Sequence, residues 1–155
     1  MPELLSTYGL PGLFVVTALS GSVVPLPSEA LLAALIVHGE SLGPVVLVAT
    51  VGNTLGAATL FWLGGRLGRG GAGGRVFRFL ERRARLDAER VERARAQVRR
   101  WGAPAMLLSW LPFVGDAMVI AAGFAGISWP SFVLFAGLGK AARFVVVAAA
   151  CAAAA

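Results

Sequence analysis

The sequence holds one cysteine, Cys151, and one histidine, His38, which excludes an internal disulfide framework and leaves too few soft ligands for a structural zinc or haem site. Charge is scarce as well: 14% of the 155 residues are charged, against about 25% in an average soluble domain. Hydrophobic residues make up 57%, and a globule this small has no interior large enough to hide them. An ordinary cytosolic domain is thereby excluded, and a second apolar solvent, the lipid bilayer, is required. The opening Met1-Pro2-Glu3 lacks the basic run of a cleavable signal peptide, so the first apolar stretch is expected to stay in the mature protein. No nucleophile with a neighbouring base and no metal cluster is visible, so the sequence argues against an enzyme and implies no cofactor or metal.

The positive charge that is present falls in one block. Twelve of the 14 Lys and Arg residues, all Arg, lie from Arg66 to Arg100, opposed there by Glu81, Asp87, Glu89 and Glu92. This linker, 65–101, separates two apolar halves, 4–64 and 102–155. A basic connector beside a membrane marks the cytoplasmic side, so 66–100 is expected inside the cell and the chain in the inner (plasma) membrane, crossing it several times. A membrane surface, not nucleic acid, is its expected counterpart. Residues 87–100 predict a helix, with Asp87 as cap, Glu89 in the first turn, Arg99 and Arg100 in the last and Gly102 just beyond. Its apolar stripe of Val91, Ala94, Val98 and Trp101 is narrow. It reads as an interfacial helix that sets orientation, with recruitment of anionic lipid as the alternative. Gly68, Gly70 and Gly73 spell GxGxxG, but without a preceding strand they read as a flexible joint.

Residues 43–64 carry no ionisable group and match the roughly 20 residues that cross a ~30 Å hydrocarbon core. Residues 130–152 form a second span, interrupted only by Lys140 and Arg143. The stretches before these spans are broken in the middle: 10–19 and 29–38 flank Pro25 and Pro27, and 103–111 and 116–125 flank Pro112 and Gly115. Ten helical residues cover only about 15 Å, and proline ends a helix by removing a donor and disfavouring helix before it. Each break is expected to be the tip of a re-entrant hairpin, tolerated at membrane depth when buried in protein or lining a wet cavity.

The halves also match each other. A shift of 87 positions sets Pro25 on Pro112, Glu29 on Asp116, Gly39 on Gly126, Ser41 on Ser128, Gly52 on Gly139 and Asn53 on Lys140, and ten of 35 pairs from 22 to 56 are identical. A repeat of one hairpin plus one span crosses the membrane an odd number of times, so the second copy must be inverted. The predicted fold is an all-α integral membrane protein: an inverted repeat of re-entrant hairpin plus transmembrane helix, joined by the basic helical linker. Trp62, Trp101 and Trp129 then fall at the inner interface, and Trp110 lies deeper.

Four ionisable residues reach membrane depth: Glu29, Asp116, Lys140 and Arg143. A lone Asp, Lys or Arg at a helix centre costs about 2.5 to 3.5 kcal/mol on insertion scales, so these are expected to pair. One reading is that they only staple the repeats together. The sharper reading is a polar site between the tips, where Lys140 and Arg143 hold an anionic headgroup, Arg143 by a bidentate fork to phosphate. Glu29 and Asp116, at half-helix N-termini, act as counter-ions or load a proton. Asn53, Thr50 and Thr54 put polar groups on the first span, with Asn53 expected to line the cavity opposite Lys140. Gly52 and Gly56 form GxxxG, a close-packing signal. His38 reads as a helix cap.

These motifs resemble those of the DedA membrane proteins, also called SNARE-associated Golgi or VTT-domain proteins, over nearly the whole chain. The likeness rests on Pro25-Leu-Pro-Ser-Glu29, Gly52-Asn-Thr-Leu-Gly56, Phe61-Trp-Leu-Gly-Gly-Arg66, Ser109-Trp-Leu-Pro-Phe-Val-Gly-Asp116 and Gly139-Lys-Ala-Ala-Arg143. In combination they are most similar to the short YqaA-like branch. The resemblance implies facing re-entrant hairpins, movement of lipids such as undecaprenyl phosphate or phospholipids across the membrane, and dependence on Glu29, Asp116, Lys140 and Arg143. The sequence departs from many relatives at Gly115-Asp116, where they carry arginines. The function expected is a lipid flippase or scramblase for an anionic phosphate-bearing lipid, with coupling to protons or membrane potential an option. The alternatives are a proton-coupled carrier of a small solute and a membrane assembly or homeostasis factor that transports nothing.

Overall fold

The computed structural model describes residues 2–22, 26–68, 88–111 and 114–154, and among them there is no β-strand. In chain order the helices are α1 (Pro2–Ser20), α2 (Ser28–Val37), α3 (Leu42–Gly68), α4 (Ala88–Trp101), a 3-10 helix (Ala103–Trp110), α5 (Val114–Phe124) and α6 (Trp129–Ala154). The two apolar stretches that carry a proline only in their first turn, where the missing N–H has no partner to lose, become the longest helices. With 27 residues in α3 and 26 in α6, each reaches about 40 Å, enough to cross a ~30 Å hydrocarbon layer with tilt. Their outward faces are apolar, with Leu47, Leu55, Leu134, Leu138 and Val146 all more than half exposed. Facing water this surface would be a liability, whereas facing lipid it is ordinary.

The long helices run antiparallel. Phe61, late in α3, packs on Phe132 and Trp129 at the start of α6, with ring centroids 4.3 and 5.0 Å apart. At the other end Leu42, Val46 and Leu47 of α3 share a groove with Val145, Ala148 and Ala149 of α6. Two apolar cores result. One joins Leu60 and Phe61 to Met106, to the α5 residues 117–122 and to Phe132. The other joins Leu13, Leu32 and Leu35 to Val45, Ala49, Phe144 and Ala148.

The short elements bind these ends together. In each half the first arm packs on that half's own long helix, α1 on α3 and the 3-10 helix on α6, while the second arm packs on the other half's, α2 on α6 and α5 on α3. The second arms end alike. Glu40 N–H bonds to Leu35 C=O and Gly39 N–H to Ile36 C=O, and 87 positions on, Ile127 N–H bonds to Ala122 C=O and Gly126 N–H to Gly123 C=O. This is the Schellman stop, which needs a left-handed residue, and Gly39 and Gly126 supply it with φ of 93° and 73°. His38 Nδ1 lies 2.8 Å from Ala34 C=O at the same helix end, in the capping position read from the sequence.

Two arms differ from expectation. The arm predicted over 103–111 is a 3-10 helix, not an α-helix. At about 2.0 Å per residue its eight residues span some 16 Å, matching the ten-residue α2 at about 15 Å. The tighter coil lets it lie close to α6, where the Leu107 backbone fills the space a Gly139 side chain would need. The arm predicted over 10–19 begins at Pro2 and continues through Pro11 as a helix of 19 residues, about 28 Å long. It therefore reaches close to a full hydrocarbon thickness rather than half. The tip residues Pro25 and Pro112, the Asp87 cap, and Gly70 and Gly73 of the glycine motif lie outside the described residues.

Helix α5 approaches α3 through Gly123, where a Cβ would strike the Phe61 backbone. Gly123→Val is expected to cost about 1 to 3 kcal/mol through overpacking. Gly43→Ala, in open space, should change stability by less than about 0.5 kcal/mol. Denaturant unfolding in detergent micelles compares the two, and equal effects would mean that α5 is not seated on α3.

Candidate functional site

The polar groups gather where the two apolar cores meet. Asn53, at the middle of α3, is 3% exposed, and Lys140, at the middle of α6, is 5% exposed. The Lys140 ammonium donates a hydrogen bond to Asn53 Oδ1. The amide is held in that orientation by its other end, since Asn53 Nδ2 donates to the Thr17 backbone carbonyl at 3.2 Å. One side chain thus ties α1, α3 and α6 together. Asn53 and Lys140 also occupy the same position under the 87-residue shift, so equivalent points of the two halves touch each other.

One helical turn further on, Arg143 reaches α2. Its guanidinium lies 3.0 Å from Glu29 Oε1, with the Arg143 side chain 21% exposed and that of Glu29 53% exposed. Glu29 stands in the first turn of α2 and Asp116 in the first turn of α5, where a helix dipole favours negative charge. Asp116 is within Coulomb range of both Lys140 and Arg143 but forms no direct ion pair with either. The four charged residues singled out in the sequence are therefore brought together with Asn53, on four different helices. The pairing is unequal: the position equivalent to Arg143 in the first half is Gly56, so Asp116 lacks the arginine that Glu29 has.

Buried polar atoms without a hydrogen-bond partner include Thr50 Oγ1 and Thr54 Oγ1, on either side of Asn53 in α3, with Ser109 Oγ, Arg143 Nε and Arg95 Nε. Thr50 also lines a groove of about 370 Å³ between α3 and α6, whose other walls include Leu47, Ala141, Val145 and Ala149. Lys140 has three N–H groups and Arg143 five, and single bonds to Asn53 and Glu29 leave each with donor capacity for an anion. Among the described residues, no group of three His, Cys, Asp or Glu could share a metal ion.

The described tip residues play local parts. Pro27 is the exposed residue before α2. Beside it serines tie the end of α1 to the start of α2: Ser20 Oγ donates to Leu26 C=O at 3.1 Å and meets Ser28 Oγ at 3.4 Å. Gly115 is buried against the Ser109 backbone and donates to Leu111 C=O at 2.8 Å. Gly52 and Gly56 let α1 rest on α3, since side chains there would collide with Thr17 and Ala18. Thr17 and Ser20 were not singled out in the sequence. Thr17 acts through its main-chain oxygen, which leaves no residue-type signal, and Ser20 lacks an identical partner under the shift.

Residues 26–153 match the VTT domain. The chain belongs to the VTT-domain, or DedA, family. This VTT-domain chain is 39% identical over 151 residues to the inner membrane protein YqaA of Escherichia coli (strain K12), covering 97% of this chain and 94% of that protein. The Inner membrane protein YqaA of Shigella flexneri matches to the same extent. An uncharacterized protein of Haemophilus influenzae is 34% identical over 143 residues, 86% of this chain and 81% of that one. No solved structure matches. With two helices long and apolar enough to cross a membrane, Leu42–Arg66 and Trp129–Ala153, this member of the VTT-domain family is a membrane protein.

Removing Asn53 strands a buried ammonium, whereas removing Lys140 removes the group that needs a partner. Asn53→Leu is expected to destabilise by about 1 to 3 kcal/mol. Lys140→Met should cost less, because an apolar replacement of a buried charge is often neutral. The double variant should be more stable than Asn53→Leu alone. A double-mutant cycle measured by denaturant unfolding tests this, and simple additivity would mean the two side chains are not coupled.

Proposed function

We propose that this protein moves an anionic phosphate-bearing lipid, such as undecaprenyl phosphate or a phospholipid, across the inner membrane. The observation that carries the reading is the placement of two cations, Lys140 and Arg143, at the crossing of two lipid-facing helices, one of them paired with a half-exposed acid. Intramembrane charge is costly and marks a pathway by default. A headgroup phosphate takes the donors that Lys140 and Arg143 leave open and displaces Glu29 from Arg143, while the hydrocarbon tail stays in the apolar groove beside Thr50. Asp116 balances the cations when the site is empty. The headgroup meets a polar environment midway instead of bare hydrocarbon, which lowers the barrier to crossing.

The same reading makes the two halves an inverted repeat. The antiparallel course of α3 and α6, the matched Schellman stops and the Asn53–Lys140 contact support it. On this plan the chain crosses the membrane several times and the basic linker 66–100 faces the cytoplasm.

Two experiments test these points. In proteoliposomes that follow the sidedness of a labelled polyprenyl phosphate, Lys140→Ala with Arg143→Ala should slow movement at least tenfold, and wild-type rates would overturn the site. Exchanging the pair, Glu29→Arg with Arg143→Glu, should keep the fold but not the transport, whereas full transport would mean the pair is only a staple. For topology, single cysteines at Ser41 and Arg90 in a Cys151→Ala background should label from opposite sides of the membrane. Labelling of both from one side would break the inverted plan.

A further inference from the structure

Helix α4 presents a surface that the site at the helix crossing does not use. Its buried residues, Ala94 and Val98, pack against α5 and the 3-10 helix, so α4 lies across both arms of the second hairpin. Arg95 fastens that contact. Its guanidinium lies 3.7 Å from the ring centroid of Phe124, the last residue of α5, and donates to Glu92 at 2.6 Å. The other face is exposed, with Arg99 and Arg100 beside the acids Glu89 and Glu92; Arg93, also exposed, pairs with Glu89. Beyond it, Arg66 lies over Trp62 at 4.5 Å and Arg100 over Trp101 at 5.6 Å, with both indoles more than half exposed.

These groups share one level of the bundle. Phe61, next to Trp62, packs on Trp129 and against Gly123, beside Phe124. At that level one candidate span ends, at Arg66, and the other begins, at Trp129. Indole rings settle where hydrocarbon gives way to headgroups, and arginine takes phosphate by forked hydrogen bonds. Helix α4 is too polar to enter the hydrocarbon and is seated where phosphates lie.

We propose that Arg99 and Arg100 of α4, with Arg66, Trp62 and Trp101, dock the phosphate groups of anionic phospholipids in the leaflet they meet, and that lipid held there clamps α4 onto the second hairpin. Because that hairpin carries Asp116, membrane charge then acts on the buried site through the contact of α4 with α5. Arg93, paired with Glu89, and Arg95, committed to Phe124 and Glu92, take no part in the docking.

The test uses the full chain in nanodiscs of phosphatidylcholine alone or mixed with phosphatidylglycerol. Quenching of tryptophan by brominated forms of each lipid reads lipid preference, and amide exchange over 103–124 reads the clamp. Wild type is expected to prefer phosphatidylglycerol, with exchange over 103–124 slowed when it is present and both effects weakened by salt. Arg99→Gln and Arg100→Gln together should lower the preference, about fivefold for each arginine removed, while exchange in pure phosphatidylcholine stays at the wild-type rate. Salt titration of the wild type gives the same answer without a substitution. Equal quenching by the two lipids would overturn the docking surface and leave the arginines to an acidic protein partner. A lipid preference with unchanged exchange over 103–124 would overturn the clamp.

Discussion

A buried ammonium at the crossing of two long helices sets the terms for the rest of this structure. Lys140 cannot be left in hydrocarbon alone, and an unpaired charge there would cost several kcal/mol, on the order of the whole margin by which a domain is stable. The solution is neutral on the partner side. Asn53 offers a carbonyl oxygen to Lys140 while its amino group is occupied by the Thr17 main chain. That arrangement works only if α1 presses against α3 at this depth, which the glycines at positions 52 and 56 permit. Helix packing and charge satisfaction are therefore one constraint.

Around this point the charge is balanced but not symmetrical. Helix α2 brings Glu29 to Arg143, and α5 brings Asp116 to a place where the matching position is a glycine. The Glu29–Arg143 pair is partly exposed, so the surroundings screen it and another anion can compete for the guanidinium. Lys140 is buried and fixed, Arg143 is reachable, and Asp116 is close to both without closing on either. A fully satisfied set of pairs would only hold the helices together. The leftover donors, with the unpartnered hydroxyls of Thr50, Thr54 and Ser109, are what make a polar passage a physical reading of this interior.

The exchange of arms between halves gives that interior its rigidity. Each second arm leaves its own half and packs on the opposite long helix, so neither core is built from one half alone. The charged residues lie between those two cores. Helix α4 bears on the second hairpin from outside.

The solvent, the two long helices and the identity of the charged residues are legible in the order of amino acids alone. Composition required lipid, the long runs from 43 to 64 and from 130 to 152 became α3 and α6, and the shift of 87 positions aligned Asn53 with Lys140. These are local or periodic properties, legible because each residue states its own hydropathy and backbone preference. The pairing comes from the folded arrangement, since two acids and two bases can combine in several ways and the choice depends on which arm crosses to which helix. That arrangement also dictates that a backbone carbonyl of Thr17 fixes Asn53, that residues 103–110 coil as a 3-10 helix against α6, and that α1 runs on through Pro11. Those outcomes turn on distances between segments far apart in the chain, and no single residue type carries that information.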